Sequence, residues 1–283
     1  MIKITYSLIL LFVWLIGCSV NKQVNEHNTN VKDNEYINTK DATEDNPLIL
    51  YSSTEIASLN KTASCPPDMV EIKGDYCPVL EEICLKYGDP DNKGANGPVQ
   101  CLEFKYPTKC LSNKRIKMHF CIDKFPLPNI AGELPTTQMN WYEVKATCEK
   151  LGKRLCSRPE FTQACRGPED KPYPYGDGYH RDCTACNCDR VPWLDPNTHT
   201  FEELDKRVPL GSMPRCVSDY GVFDMVGNND RFVLNETGIP YKSALMGGHA
   251  IKGARNRCTP STIVHNESFR FYETGGVCCK DIE

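Results

Sequence analysis

Seventeen cysteines in 283 residues constrain this chain more than any other feature. Sixteen of them, an even number, lie between Cys65 and Cys279, and Cys18 stands apart. Thiols at this density mean disulfides, and disulfides persist in an oxidising compartment outside the cytoplasm. Sixteen partners permit too many pairings for connectivity to be read from spacing. The adjacent pair Cys278-Cys279 would be strained as a vicinal bridge, so each is expected to pair elsewhere. "CTACNC" (183–188) has a spacing that can hold zinc or an iron–sulfur cluster, but in an exported chain it reads as a disulfide knot.

The first residues agree with export. Lys3 precedes an apolar run, "ITYSLILLFVWLIGC". At about 12 to 14 residues it falls short of the roughly 20 that span a bilayer and suits the core of a secretory signal. "LIGC" is similar to a bacterial lipobox, which implies a signal over 1–17, cleavage before Cys18 and a lipid on that cysteine. The expected address is a bacterial cell envelope, and the outer membrane if the cell is Gram-negative, since Ser19 rather than Asp follows. Residues 18–64 are rich in Asn, Asp, Glu, Thr and Lys and cannot bury enough apolar surface to offset their ordering entropy. They read as a tether, with "PLILYSS" (47–53) its one apolar stretch. Net charge is −4, with no basic block, so nucleic acid is not an expected partner.

From Cys65 the texture becomes short apolar segments broken by Gly and Pro. "MVEIKG" (69–74) and "HFCIDKF" (119–125) alternate as strands; "YGDPDNKGANGP" (87–98) is loop chemistry. Two helices are marked by capping boxes. One starts at Asn140 with Glu143 three residues on; Val144, Cys148 and Leu151 share a face, and Gly152 ends it. The other starts at Ser157 with Glu160; Phe161, Ala164 and Cys165 face inward, and Gly167 ends it. Residues 65–283 therefore read as one irregular, loop-rich α+β domain with two short helices, braced by disulfides.

The order of the segments "CPPDMVEIKGDYC", "MNWYEVKATCEKLGKRLCSRPEFTQACRG", "YPYGDG", "YGVFDMVGN" and "LMGGHAIKGARNRC" resembles the formylglycine-generating enzyme or sulfatase-modifying-factor family over roughly residues 65–279. The resemblance implies a C-type-lectin-like variant fold. It also implies an oxidase site in which two cysteines after a double glycine hold copper, since soft thiolates select Cu(I). Here Lys252 stands near the first of those positions. Arg257 is at the second, with Cys258 one residue on. Cys258 is expected to be half of a disulfide. In "GNNDRF" (227–232) Arg231 takes the place of an acidic residue that helps hold calcium in some members, with Asp230 one position earlier. The metal possibilities left open are calcium at Asn228 with Asp230, and calcium in the 183–189 segment, where Asp182, Asn187 and Asp189 supply oxygens. At "ETGGVCC", Gly276 and Val277 replace the family's aromatic residue and arginine.

These departures point to a binding or envelope-associated module that kept the fold and lost the copper chemistry, with no cofactor required. Its expected binding face spans 228–235 and 249–258. Arg231, His249, Lys252, Arg255 and Arg257 would meet an anionic, carboxylate-bearing ligand or an envelope protein. The competing expectation is an oxidoreductase with a rearranged metal site, built on Cys258 and His249, with copper as its cofactor.

Overall fold

The computed structural model describes residues 64–88, 100–191, 194–195, 197–253 and 255–282. The signal, Cys18 and the tether through residue 63 lie outside the described residues, as does most of the 87–98 loop.

The strands in chain order are β1 (Met69–Tyr76), β2 (Leu80–Glu81), β3 (Cys84–Tyr87), β4 (Cys101–Phe104), β5 (Lys109–Cys110), β6 (Ile116–Asp123), β7 (Arg154–Leu155), β8 (Asp230–Leu234), β9 (Ser243–Met246), β10 (Ser261–Thr262), β11 (Thr274–Gly276) and β12 (Cys278–Asp281). They form two four-stranded sheets, β1-β6-β12-β7 and β10-β9-β8-β11, and two ribbons, β2-β5 and β3-β4. In the first sheet β1 and β6 pair antiparallel from Met69↔Asp123 to Tyr76↔Ile116. The alternation in "MVEIKG" buries Ile72 between exposed Glu71 and Lys73, the pattern of a strand with one wet face. In the second sheet β11 runs parallel to β8, and the other pairs are antiparallel.

Both expected helices form with their capping boxes. Helix α1 (Trp141–Lys150) is capped by Asn140 and Glu143, and α2 (Arg158–Arg166) by Ser157 and Glu160. Each box satisfies two N–H groups that the first turn leaves without partners. Val144 and Cys148 are buried on α1, and Phe161, Ala164 and Cys165 on α2. Leu151 corrects the expected face. It is the C-cap residue and is 53% exposed, because the helix has ended before its side chain can turn inward. A third helix, the single turn α3 (Phe201–Leu204), is capped by Thr200 and Glu203 and adds to the two expected.

Eight disulfides join the sixteen cysteines. Cys278 and Cys279 pair with Cys148 and Cys156 and tie β12 to α1 and to the residue before the α2 cap. The 183–188 segment is a knot of Cys183–Cys188 and Cys186–Cys216. One apolar core runs from Ile72, Phe120 and Ile122 through Phe161 to Val233 and Met246. A second gathers Trp141, Val144, Phe232 and Leu245 on the other side of the β8–β9 pair.

Candidate binding cleft

Strand β9 ends at Met246 and the chain turns at Gly247 and Gly248, with φ of 86° and 71°. Both positions require glycine twice over. L-residues rarely adopt such φ, and a Cβ at Gly247 would strike the Arg231 guanidinium and the Met225 carbonyl, while one at Gly248 would strike the Asn256 side chain. The loop beyond is held by its own backbone. His249 N–H donates to Asn256 Oδ1 at 3.0 Å, Arg190 N–H donates to the Ala250 carbonyl, and Lys252 N–H to the Val191 carbonyl. The loop ends at Cys258, fully buried and bonded to Cys165 on α2.

That bond decides the fit of copper. A disulfide sulfur is no thiolate, and the 244–260 segment holds no second cysteine, so these residues do not make a two-sulfur copper site. Cys183, Cys188 and Asp189 come within ligand distance of one another, but those sulfurs too are bonded. The calcium set does not fit either. Asn228 Oδ1 accepts from Asn187 Nδ2 and Val208 N–H, Asn187 Oδ1 accepts from Arg190 Nε, and both Asp230 oxygens accept from Arg255. Each of these oxygens is turned to a donor within the fold, and Arg255 already neutralises Asp230, so as they stand they do not converge on a cation.

The five residues expected on one charged face have different fates. Arg231 is wholly buried and corrects the expectation. Its guanidinium donates inward to the carbonyls of Met225, Gly227 and Asn229, and burial pushes its pKa down to about 10. Arg255 is largely covered and pairs at 2.6 Å with Asp230, which is fully buried. Burial alone would raise the Asp230 carboxyl, but Arg255 holds it below the usual range. His249 is half-buried, and its Nδ1 has no partner among the described residues. Burial pushes it down to about 4, so it is neutral at pH 7. Arg257 pairs with Glu82 and lies 5.1 Å over the Phe104 ring. Lys252 is half-buried.

The loop nevertheless forms the wall of a site. A cleft of about 680 Å³ opens between the β3–β4 ribbon and residues 260–265. Tyr87, Phe104 and the Cys84–Cys101 bridge make one side. Ser261, Thr262 and Ile263 on and after edge strand β10 make the other, with Arg255, Arg257 and His265 among the lining groups. The cleft is within the size range of small-molecule sites and joins apolar walls to a few polar groups. Two of the five expected residues, Arg255 and Arg257, line it; the ribbon residues were not expected. Tyr87 and Ser261 are far apart in sequence, and only the fold places them opposite one another.

The bovine protein "Inactive C-alpha-formylglycine-generating enzyme 2" is 28% identical over 123 residues, which is 43% of this chain and 38% of that protein. The protein of the same name from Mus musculus is 28% identical over 123 residues, covering 43% and 37%. The match thus spans under two fifths of either relative's length. Among solved structures, CarF aligns with a TM-score of 0.48 and 14% identity, covering 77% of this chain and 99% of that one. PvdO from Pseudomonas aeruginosa aligns with a TM-score of 0.46 and 15% identity, covering 77% and 96%. The sulfatase-modifying factor enzyme 1-like domain matches residues 120–271, and the chain belongs to that family.

Proposed function

We propose that this chain is an exported, lipid-anchored member of the family that binds a ligand in the 680 Å³ cleft and does not carry out the family's copper-dependent oxidation. The observation that carries the reading is the Cys165–Cys258 disulfide: the one cysteine in the 244–260 segment is spent on bracing α2 against the cleft loop. Lipid on Cys18 and residence in a bacterial envelope are parts of the proposal supported by the sequence alone. The relatives whose name includes the word inactive are in keeping with it.

The ligand proposed is amphipathic, with an apolar body against Tyr87, Phe104 and Ile263 and a carboxylate or similar acceptor toward Arg255 and Arg257. Both arginines are already paired with Asp230 and Glu82, so the cleft offers directional N–H donors more than net positive charge. Specificity would come from geometry.

Alkylation under denaturing, non-reducing conditions followed by mass spectrometry tests the reading, alongside oxygen uptake with a cysteine-containing peptide and added copper. The expected result is no alkylated cysteine in the folded domain and no copper-dependent uptake. Two reduced cysteines with bound copper and peptide turnover would establish the oxidoreductase instead.

A further inference from the structure

Arg231 is the largest wholly buried side chain among the described residues, and no carboxylate neutralises it directly. Asp224 and Asp230 act on it only through their fields. Asp230 is taken by Arg255, and Asp224 accepts from Gly211 N–H at 2.8 Å. The groups that do meet the guanidinium are backbone carbonyls: Gly227 at 2.7 Å, together with Met225 and Asn229. The turn that aims them inward passes through Gly227 and Asn228, at φ of 75° and 63°. Converging backbone carbonyls in the field of nearby carboxylates suit a hard cation such as calcium.

We infer that Arg231 is a built-in cation: its guanidinium fills a carbonyl cage of the kind a calcium ion occupies and makes the turn at 225–231 independent of metal. The Phe161 ring, 5.5 Å from the guanidinium carbon, closes the cage with a second attraction for positive charge. The consequence reaches the cleft. Gly227 N–H donates to the Gly247 carbonyl at 2.9 Å, and Gly247 packs on the guanidinium too closely to carry a Cβ. The cleft loop is therefore seated on Arg231, whatever the cleft binds. Arg231 acts as a positioning residue, and its removal should loosen residues 247–258 rather than delete a contact to ligand.

Thermal unfolding of the intact exported protein in EDTA and in millimolar calcium tests this. The wild type should unfold at the same temperature in both. Arg231→Glu places an oxygen donor in the cage. It should unfold at lower temperature in EDTA, recover a large part of the loss in calcium, and bind one calcium per chain by titration calorimetry. If Arg231→Glu folds and calcium leaves its midpoint where EDTA puts it, the inference is wrong. Should that variant fail to fold in either buffer, Arg231→Lys and Arg231→Met decide. Lys keeps a cation against the carbonyls and should unfold at a clearly higher temperature than Met, which has similar bulk and no charge; a Met variant as stable as the Lys variant would overturn the inference.

Discussion

The carboxyl of Glu273 holds a proton at neutral pH. Burial pushes it up to about 8, and the charge of Asp230 adds to the effect; one of its oxygens is buried without a partner among the described residues. In the unfolded chain the same group titrates near 4.5. Between those two values the folded state keeps a proton that the unfolded state releases, so stability is lost as pH rises through the window. Urea unfolding of wild type and Glu273→Gln at several pH values should show the wild type losing about 5 kcal/mol relative to the variant across it. Asp123 and Asp224, both pushed to about 6 by burial, cancel in the difference. Parallel curves would mean that Glu273 is ionised in the fold. At this scale the sequence shows which charges exist and not where they point. Arg231 and Arg257 look alike in it, yet one lies inside a cage of backbone carbonyls, which no residue type announces, and the other lines the cleft. Cys258 was legible, because an even set of cysteines in an oxidising compartment leaves little room for a thiolate.

Capping chemistry is local, and so the helices could be read from sequence. At Ser157 the backbone N–H donates to Glu160 at 2.8 Å, while the same carboxylate accepts from Arg154. Ser157→Ala should cost about 1 kcal/mol by chemical denaturation. Glu160→Gln should cost at least as much, because it weakens the Arg154 bridge along with the box. A neutral Ser157→Ala would show that packing of Phe161 and Cys165 holds α2 without its cap. The same signal stood at Thr200 and Glu203, but a single turn leaves too little apolar periodicity to announce a helix. The ribbons were beyond reach for another reason. Strands β2 and β5 have two residues each, with Cys77–Cys110 beside them, and β3 and β4 are bridged by Cys84–Cys101. Their pairing depends on sulfur connectivity that sequence leaves open, and the cleft wall they build was hidden with it.

Across the described residues, the disulfides divide into bridges that close long loops, tying the last strand back to the helices, and bridges that shape one surface. Cys148–Cys278 spans 130 residues and anchors β12; Cys84–Cys101 spans 17 and forms part of the cleft. In the chain-entropy account, stabilisation grows with the loop closed, so removing these bridges should cost about 5 and about 3 kcal/mol respectively. Paired serine substitutions measured by denaturant unfolding would check the order. Equal losses would show that local packing, not loop length, sets the value of each bridge. The functional order should be the reverse. Serines at 148 and 278 lie in the second core, away from the cleft, and should leave any cleft ligand bound as tightly as before in whatever fraction remains folded. Serines at 84 and 101 free the β3–β4 ribbon to move against Ser261 and Thr262, so affinity should fall while most of the chain stays folded. Of the two, the bridge that matters less to stability would then matter more to binding, as expected of a scaffold in which function resides in loops held on a rigid frame.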